Sequence, residues 1–539
     1  MTVPAADAGA SQPEVTPIPM LPPAVVERFG ARVLDPITAV PLPSGIAPRP
    51  TAYVGDTLLV RGLPGGRRDD TLEGVRSVVQ DLELDVTFDA AGDEVAASLV
   101  GQDPLAEQIL DEFWVTPVQV VGLEETRASE QPPVDVWPVL QRLREDGIGA
   151  DEVGLEHLAV ACADIGGAPY WTGAPYWTGA PYWTGAPYWT GAPYWTGAGT
   201  AEYAVPGSGG RGPAALSLPD PAQTSGRVKR APVVVVLDTG LGAHPWFADP
   251  TAATDQVEVN GVLLGLAGPM NTMAPALHNP LDGGLLPYAG HGTFIAGLVR
   301  QQCPQARILG VPIMGGDGVV GEGLLMRTLV ALLIRQAVAV QAGDRDSMID
   351  VLSLSLGYYH EEPADASIDP MLRGLLKAFG SWGVAVVTAA GNDATIAPFH
   401  PAAFAAQVTG FDPHVVPLVS VGALNPNGTA VAYFSNAGPW VSCHRLGANV
   451  ISTLPTDLNG DRQPSVRMRY HKTERATIDP DDFSGGFGTW SGTSFAAPVL
   501  AGQLARRLAQ DPAPSSIART EAVERGWKAV AQELPGWSP

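Results

Sequence analysis

Residues 232–240 read PVVVVLDTG. Five consecutive apolar residues, Val233 to Leu237, have no polar alternation, so this run predicts a strand buried on both faces. It delivers Asp238-Thr239-Gly240 at its end. Runs of the same kind recur at Arg307–Pro312, Val351–Leu356, Val384–Ala389 and Val416–Val421. Helical stretches separate them, notably Gly323–Gln341 and Pro370–Trp382. Alternating strands and helices predict an α/β fold, a mostly parallel sheet with helices on both faces. Ligands meet such a sheet at the C-terminal ends of its strands, which is where Asp238 sits.

Two helix starts carry further chemistry. His291-Gly292-Thr293 opens the apolar stretch FIAGLV, and Gly492-Thr493-Ser494 opens FAAPVLAGQLA. A serine at a helix start has a positive dipole end beneath it and a free backbone N–H beside it. Ser, His and Asp together supply a nucleophile, a general base and an orienting anion.

The segments DTGLGAHPWF, HGTFIAGLV and GTSFAAPVLAG resemble the three signature segments of subtilisin-like serine proteases, in the family's order Asp, His, Ser. The resemblance covers about residues 231–510 and implies a serine endopeptidase. It implies Ser494 as nucleophile, His291 as general acid/base and Asp238 as the residue that orients His291. Ala389-Ala390-Gly391-Asn392 is similar to the segment that supplies an oxyanion donor, so Asn392 takes that role with the Ser494 N–H. Ser355-Leu356-Gly357 resembles the strand that pairs with an extended substrate. Many members of the family bind calcium; no ligand set is identifiable here, so no cofactor and no metal are assigned. His244 belongs to the DTG segment and reads as structural. His278, His360, His400, His414, His444 and His471 show no ligand spacing and read as packing or surface residues. The 53 residues from Asp238 to His291, and a charged insertion within Ile451–Ser491, depart from a compact member and leave specificity open.

Upstream, residues 1–50 are rich in Pro and Ala and read as a flexible arm. Residues 51–164 read as a globular domain. Thr57–Arg61, Leu84–Phe88, Phe113–Val121 and His157–Cys162 are strand candidates, and Asp70–Leu82 and Pro133–Asp146 are amphipathic helices. The order β-α-β-β-α-β is an α+β, ferredoxin-like arrangement, and it resembles the propeptide of subtilisin-like zymogens. A linker at 165–230 holds the hexapeptide Ala-Pro-Tyr-Trp-Thr-Gly five times without a substitution. The resemblance implies that this tail is presented to Ser494. Gly-Ala junctions bracket every unit: Gly167-Ala168, Gly173-Ala174, Gly179-Ala180, Gly185-Ala186, Gly191-Ala192 and Gly197-Ala198. Cutting each junction releases five identical peptides, and attack by a fragment's own amine on the acyl-enzyme would make them cyclic. Replication slippage that leaves a tolerated linker is the competing explanation, and an aromatic ligand-stacking role is a third. Cleavage at Lys229-Arg230 is a further option. A tail at 511–539 carries a possible helix from Ser516 to Gln532.

Bulk properties narrow the classes. The 539 residues are 45% hydrophobic and 16% charged, as expected for packed domains, and the formal net charge of −24 argues against nucleic-acid or anionic-membrane partners. Cys162, Cys303 and Cys443 show no metal spacing and read as buried apolar residues. No signal peptide is seen at the N-terminus, so a cytoplasmic location is expected, with export by an unrecognised route left open. Three functions compete: a self-processing endopeptidase acting on peptide or protein substrates, a peptide precursor that excises APYWTG, and a binding protein with a dead protease fold.

Overall fold

The computed structural model describes residues 16–162, 203 and 210–538, apart from 89, 102, 123–133, 217–218, 267, 269–276, 280–282, 363–369, 406–410 and 512–517. The five hexapeptides and all twelve junction residues lie outside the described residues.

Helix α1 (Pro23–Phe29) and strand β1 (Ala31–Val33) come first. The arm expected over residues 1–50 thus carries two elements. Val25 and Ala31 hold it down by burying a small apolar cluster with Ala52, Leu158 and Val319. Next come β2 (Ala52–Arg61), α2 (Arg67–Asp81), β3 (Leu84–Phe88), α3 (Ala91–Val100), α4 (Pro104–Phe113), β4 (Val115–Gly122), α5 (Val136–Glu145) and β5 (Val153–Ala161). The four longer strands lie in the order β5-β2-β4-β3, all antiparallel. Two helices, α3 and α4, stand where the sequence pattern predicts a direct strand-to-strand connection. Helix α2 starts three residues before Asp70, with Gly66 at its N-cap and no side-chain cap. Pro117 is tolerated inside β4 because the pairing with β3 begins only at Val118. Leu58, Val60, Leu72, Val75, Val118, Trp137, Leu140 and Leu155 bury a core between α2, α5 and the sheet.

The chain then forms β6 (Gly212–Pro213), β7 (Val233–Asp238), β8 (Ala253–Thr254), β9 (Glu258–Val259), β10 (Val262–Leu263), α6 (His291–Gln302), β11 (Arg307–Pro312) and β12 (Val319–Gly321). There follow α7 (Glu322–Ala342), β13 (Val351–Leu354), β14 (Leu356–Tyr359), α8 (Pro370–Ser381), β15 (Ala385–Ala389), β16 (Phe399–His400), β17 (Val419–Leu424) and β18 (Cys443–Leu446). The last elements are β19 (Val450–Thr453), β20 (Arg467–Tyr470), β21 (Thr473–Ala476), β22 (Phe487–Trp490), α9 (Thr493–Gln510) and α10 (Arg519–Glu533).

A parallel seven-stranded sheet, β18-β17-β15-β13-β7-β11-β8, organises this half. Every side chain from Val233 to Leu237 is at most 1% exposed, each contributing about 1.5–3 kcal/mol by burial. Helix α7 is long and apolar enough to cross a membrane, yet 78% of its most apolar window is buried inside the protein. Its Arg327 and Arg335 cap backbone carbonyls at Gly323 and Ser347. Helix α10 is no loose tail: Val523, Trp527 and Val530 pack it onto the main core.

The two halves share one strand. The first part of β5 pairs with β2, whereas Leu158–Ala161 pair with β12 on one side and β14 on the other. The N-terminal sheet therefore runs on into the edge strands of the C-terminal half.

Candidate active site

The parallel sheet places the candidate residues at its C-terminal edge. Asp238 is the last residue of β7, and His291 is the first of α6. His291 Nδ1 lies 2.8 and 2.9 Å from the two Asp238 carboxylate oxygens. Asp238 Oδ1 also accepts the Thr239 N–H at 2.7 Å, which fixes the carboxylate plane. A Cβ on Gly292 would lie 2.5 Å from the Gly240 carbonyl, so only glycine lets α6 approach the DTG turn this closely. The imidazole is fully buried, packed against Tyr288, Trp490 and Phe495, and its Nε2 has no hydrogen-bond partner among the described residues.

Ser494 is the second residue of α9. Its hydroxyl donates to the Ser355 carbonyl at 3.1 Å rather than to His291. Asn392 follows β15; its Oδ1 accepts from the Thr493 N–H at 2.9 Å and the Thr493 hydroxyl at 2.8 Å. Those two bonds orient the amide so that Nδ2 points the other way, into the cleft. There it donates to the Cys162 carbonyl at 2.5 Å, and the Ser494 N–H donates to the same oxygen at 3.2 Å. Both candidate oxyanion donors thus converge on one backbone carbonyl of this chain.

Ser355, Leu356 and Gly357 hold the strand that brings that carbonyl in. The Cys162 N–H donates to Ser355 O at 3.0 Å, and Leu356 and Gly357 pair with Ala161 and Val160. On the opposite side the Ala161 N–H donates to Gly318 O at 2.8 Å, and Val319–Gly321 pair with Val160–Leu158. Leu158, Ala159, Ala161 and Cys162 are 4% exposed or less. Burial pushes the Cys162 thiol well above its ordinary range. The residue at the candidate nucleophile is therefore Cys162, six residues before the first hexapeptide, whereas the Gly-Ala junctions lie outside the described residues. Strand pairing on both sides seats the end of β5 itself. Lys229-Arg230 is elsewhere: Arg230 Nη1 donates to both Asp350 carboxylate oxygens, at 2.7 and 2.8 Å.

A second buried histidine escaped the sequence reading. His157 Nδ1 lies 2.6 Å from Glu322 Oε2, and Nε2 lies 2.8 Å from Glu361 Oε2. Tyr358 stacks on the ring at 4.6 Å, and His360 lies 5.0 Å away. His360 and His400, expected as ordinary packing or surface residues, are buried in this cluster. His157, His360 and Glu361 each offer one ligand atom within 4.8 Å of the others. Both nitrogens of His157 are already engaged by carboxylates, and His360 Nδ1 accepts the Glu362 N–H at 3.1 Å, so the arrangement suits a proton better than a metal ion. His244 is structural as expected, accepting the Trp246 N–H, and burial lowers it to about 4. The three cysteines form no disulfide.

The model of the subtilase family matches residues 229–525. The chain is similar to the serine protease AprX of Bacillus subtilis (strain 168), 28% identical over 305 residues, which are 52% of this chain and 57% of that protein. It thus spans little more than half the length of that relative. Among solved structures, a cold adapted subtilisin-like serine proteinase aligns at 18% identity with a TM-score of 0.33, over 60% of this chain and 90% of the other. A lanthipeptide protease aligns at 18% identity with a TM-score of 0.34, over 54% and 78%. The family match takes in more than half of the 539 residues, and the chain belongs to the subtilase family.

Proposed function

We propose that this chain is a serine endopeptidase made as a zymogen, and that its first substrate is its own Cys162–Ala163 bond. One observation carries the reading: the Cys162 carbonyl accepts from both Asn392 Nδ2 and the Ser494 N–H. A carbonyl held there is polarised and faces the donors that would stabilise its oxyanion.

The chemistry follows from the same residues. Ser494 Oγ rotates from Ser355 O toward His291 Nε2, which has no other partner among the described residues. His291 takes the hydroxyl proton as Oγ attacks the Cys162 carbonyl carbon. Asp238 holds the Nδ1–H and stabilises the imidazolium that forms. The oxyanion rests on the Ser494 N–H and Asn392 Nδ2. Collapse breaks the C–N bond, and His291 returns the proton to the Ala163 amine. Water then releases the Cys162 carboxylate by the reverse path. Residues 51–162 act in this reading as a propeptide whose last strand blocks the cleft until it leaves.

Mass spectrometry of the purified full chain tests it. Wild type is expected to yield fragments 1–162 and 163–539, and Ser494→Ala to stay intact. An uncut wild type that also fails to react with a fluorophosphonate probe overturns the reading. The same spectrum decides the peptide-precursor alternative. A released APYWTG peptide, lighter by one water if cyclic and absent from Ser494→Ala, would establish it.

A further inference from the structure

We propose that Glu322 and Glu361 form a buried anionic subsite for a flat cationic side chain, imidazolium or guanidinium, five residues before the residue whose carbonyl Ser494 attacks. The proposal rests on reading residues 158–162 as a seated substrate. Residue 157 is continuous with that strand, and an extended chain rises about 3.3 Å per residue. The subsite therefore lies roughly 17 Å up the same groove.

The hydrogen bonding of His157 fixes its charge. A neutral imidazole has one N–H and one lone pair, so it can donate to only one of two carboxylates. Here carboxylate oxygens stand 2.6 and 2.8 Å from the two nitrogens. An imidazolium satisfies both with charge-assisted bonds. Moving the proton to a carboxylate is disfavoured on both sides. Glu322 occupies the first turn of α7, where the helix dipole favours its anion, and its other oxygen accepts from the Tyr358 hydroxyl at 3.3 Å. Burial alone would raise the Glu361 carboxyl, but His360 and His157 beside it hold it well below the usual range.

Both carboxylates belong to the subtilase half, on α7 and just after β14, whereas the cation comes from β5. When residues 51–162 leave, Glu322 and Glu361 lose the cation they share, one on either side of the vacated ring position. Two anions facing one vacated site repel each other. A new substrate strand that brings its own cation relieves that repulsion. Tyr358, stacked on His157 at an interplanar angle of 17°, favours a planar cation.

The groups facing His157 set the pH dependence. They are Glu322 on α7, Tyr358 on β14, His360 and Glu361 after it, His400 on β16, Tyr53 paired opposite on β2, and the neighbouring Glu156. Burial alone would lower His157, but Glu361 and Glu322 outweigh it and hold the ring well above its ordinary value. A free peptide loses its proton near the ordinary imidazole value and must regain it on binding. The grip is thus full below that value and weakens as pH rises toward the raised one.

The test uses the self-processed protein and three peptides: HLAVACAD, RLAVACAD and QLAVACAD, named for this chain's residues 157–164 with the first position varied. The His and Arg peptides are expected to exceed the Gln peptide in kcat/KM roughly tenfold to a hundredfold at pH 6. The His advantage should shrink by pH 9 while the Arg advantage persists. In Glu322→Gln/Glu361→Gln the ratios should collapse toward one. Cleavage of all three peptides at equal rates, or ratios that survive in the double variant, overturns the subsite alone. No cleavage of any peptide and no labelling by a fluorophosphonate overturns the proposed function and the subsite with it.

Discussion

Two of the buried histidines, His291 and His157, hydrogen-bond to carboxylates, and they differ in one respect. His291 has a carboxylate on Nδ1 only, and its Nε2 has no partner among the described residues. His157 has a carboxylate on each nitrogen. The first arrangement leaves a lone pair that can take and return a proton, which is what a general base needs. The second fills both positions and holds its proton in place, so the ring acts as a fixed cation that clips the N-terminal half onto the subtilase half. The count of occupied ring nitrogens, more than burial or the number of carboxylates nearby, separates the proposed catalytic role of His291 from the holding role of His157.

Removing the proposed nucleophile is the largest break. Ser494→Ala is expected to slow cutting at Cys162–Ala163 by on the order of 10⁴-fold or more, read as the rate at which the intact mass disappears. The clip through His157 should survive, so the intact chain of this variant is the form in which to measure everything that holds the two halves together. Asn392→Ala should cost less, roughly 10²–10³-fold, because the Ser494 N–H still donates to the Cys162 carbonyl. A loss as large as that of the serine variant would mean that Asn392 also positions Thr493, which it contacts twice.

The two histidines were not equally legible. His291 and Ser494 announce themselves because their motifs are local: a polar residue at a helix start before an apolar run. The strands that carry Asp238 and Asn392 were visible as continuous apolar runs, and Arg307–Pro312 begins and ends as expected. His157 gave no such signal, since its partners lie 165 and 204 residues away and meet only in the folded chain. Helix α4 did leave a signal that passed unread: Asp103 before Pro104, where the aspartate accepts the Leu105 N–H as an N-cap. The strand ending near Cys162 was visible, but its register in the cleft depends on pairing with β12 and β14, which no local pattern encodes.

Neutralising the clip while keeping its shape comes next in size. His157→Gln in the Ser494→Ala background removes the cation between Glu322 and Glu361. The cost is expected to be about 3 kcal/mol at pH 6, seen as a lower unfolding midpoint of the N-terminal half, since two buried carboxylates lose the cation they share. His157 is raised in the folded state, so its contribution is whole below the ordinary imidazole value and declines above it. The gap between the two proteins should accordingly narrow from pH 6 to pH 9. A constant gap would mean that His157 is held by packing and not by its charge.

The smallest effect expected is the most discriminating, because it concerns the carboxyl next in sequence. Glu156 is as buried as Glu361 but has no cation on it: Oε1 accepts the Gly323 N–H at 3.0 Å, and Oε2 has no partner among the described residues. Burial is the main cause that raises its carboxyl above the ordinary range. An acid raised on folding binds more protons folded than unfolded. Stability is then lost as pH climbs from the ordinary carboxylate value toward the folded one. Glu156→Gln keeps the carbonyl that accepts from Gly323 and removes that loss. In the Ser494→Ala background it should be within about 1 kcal/mol of its parent at pH 5 and gain on it by pH 8, read from thermal midpoints. Glu361→Gln should move the opposite way and be destabilising throughout, because its carboxylate is lowered on folding and holds a cation. Equal shifts for the two variants would erase the distinction between a carboxyl that burial tends to neutralise and one that a neighbouring imidazolium keeps charged.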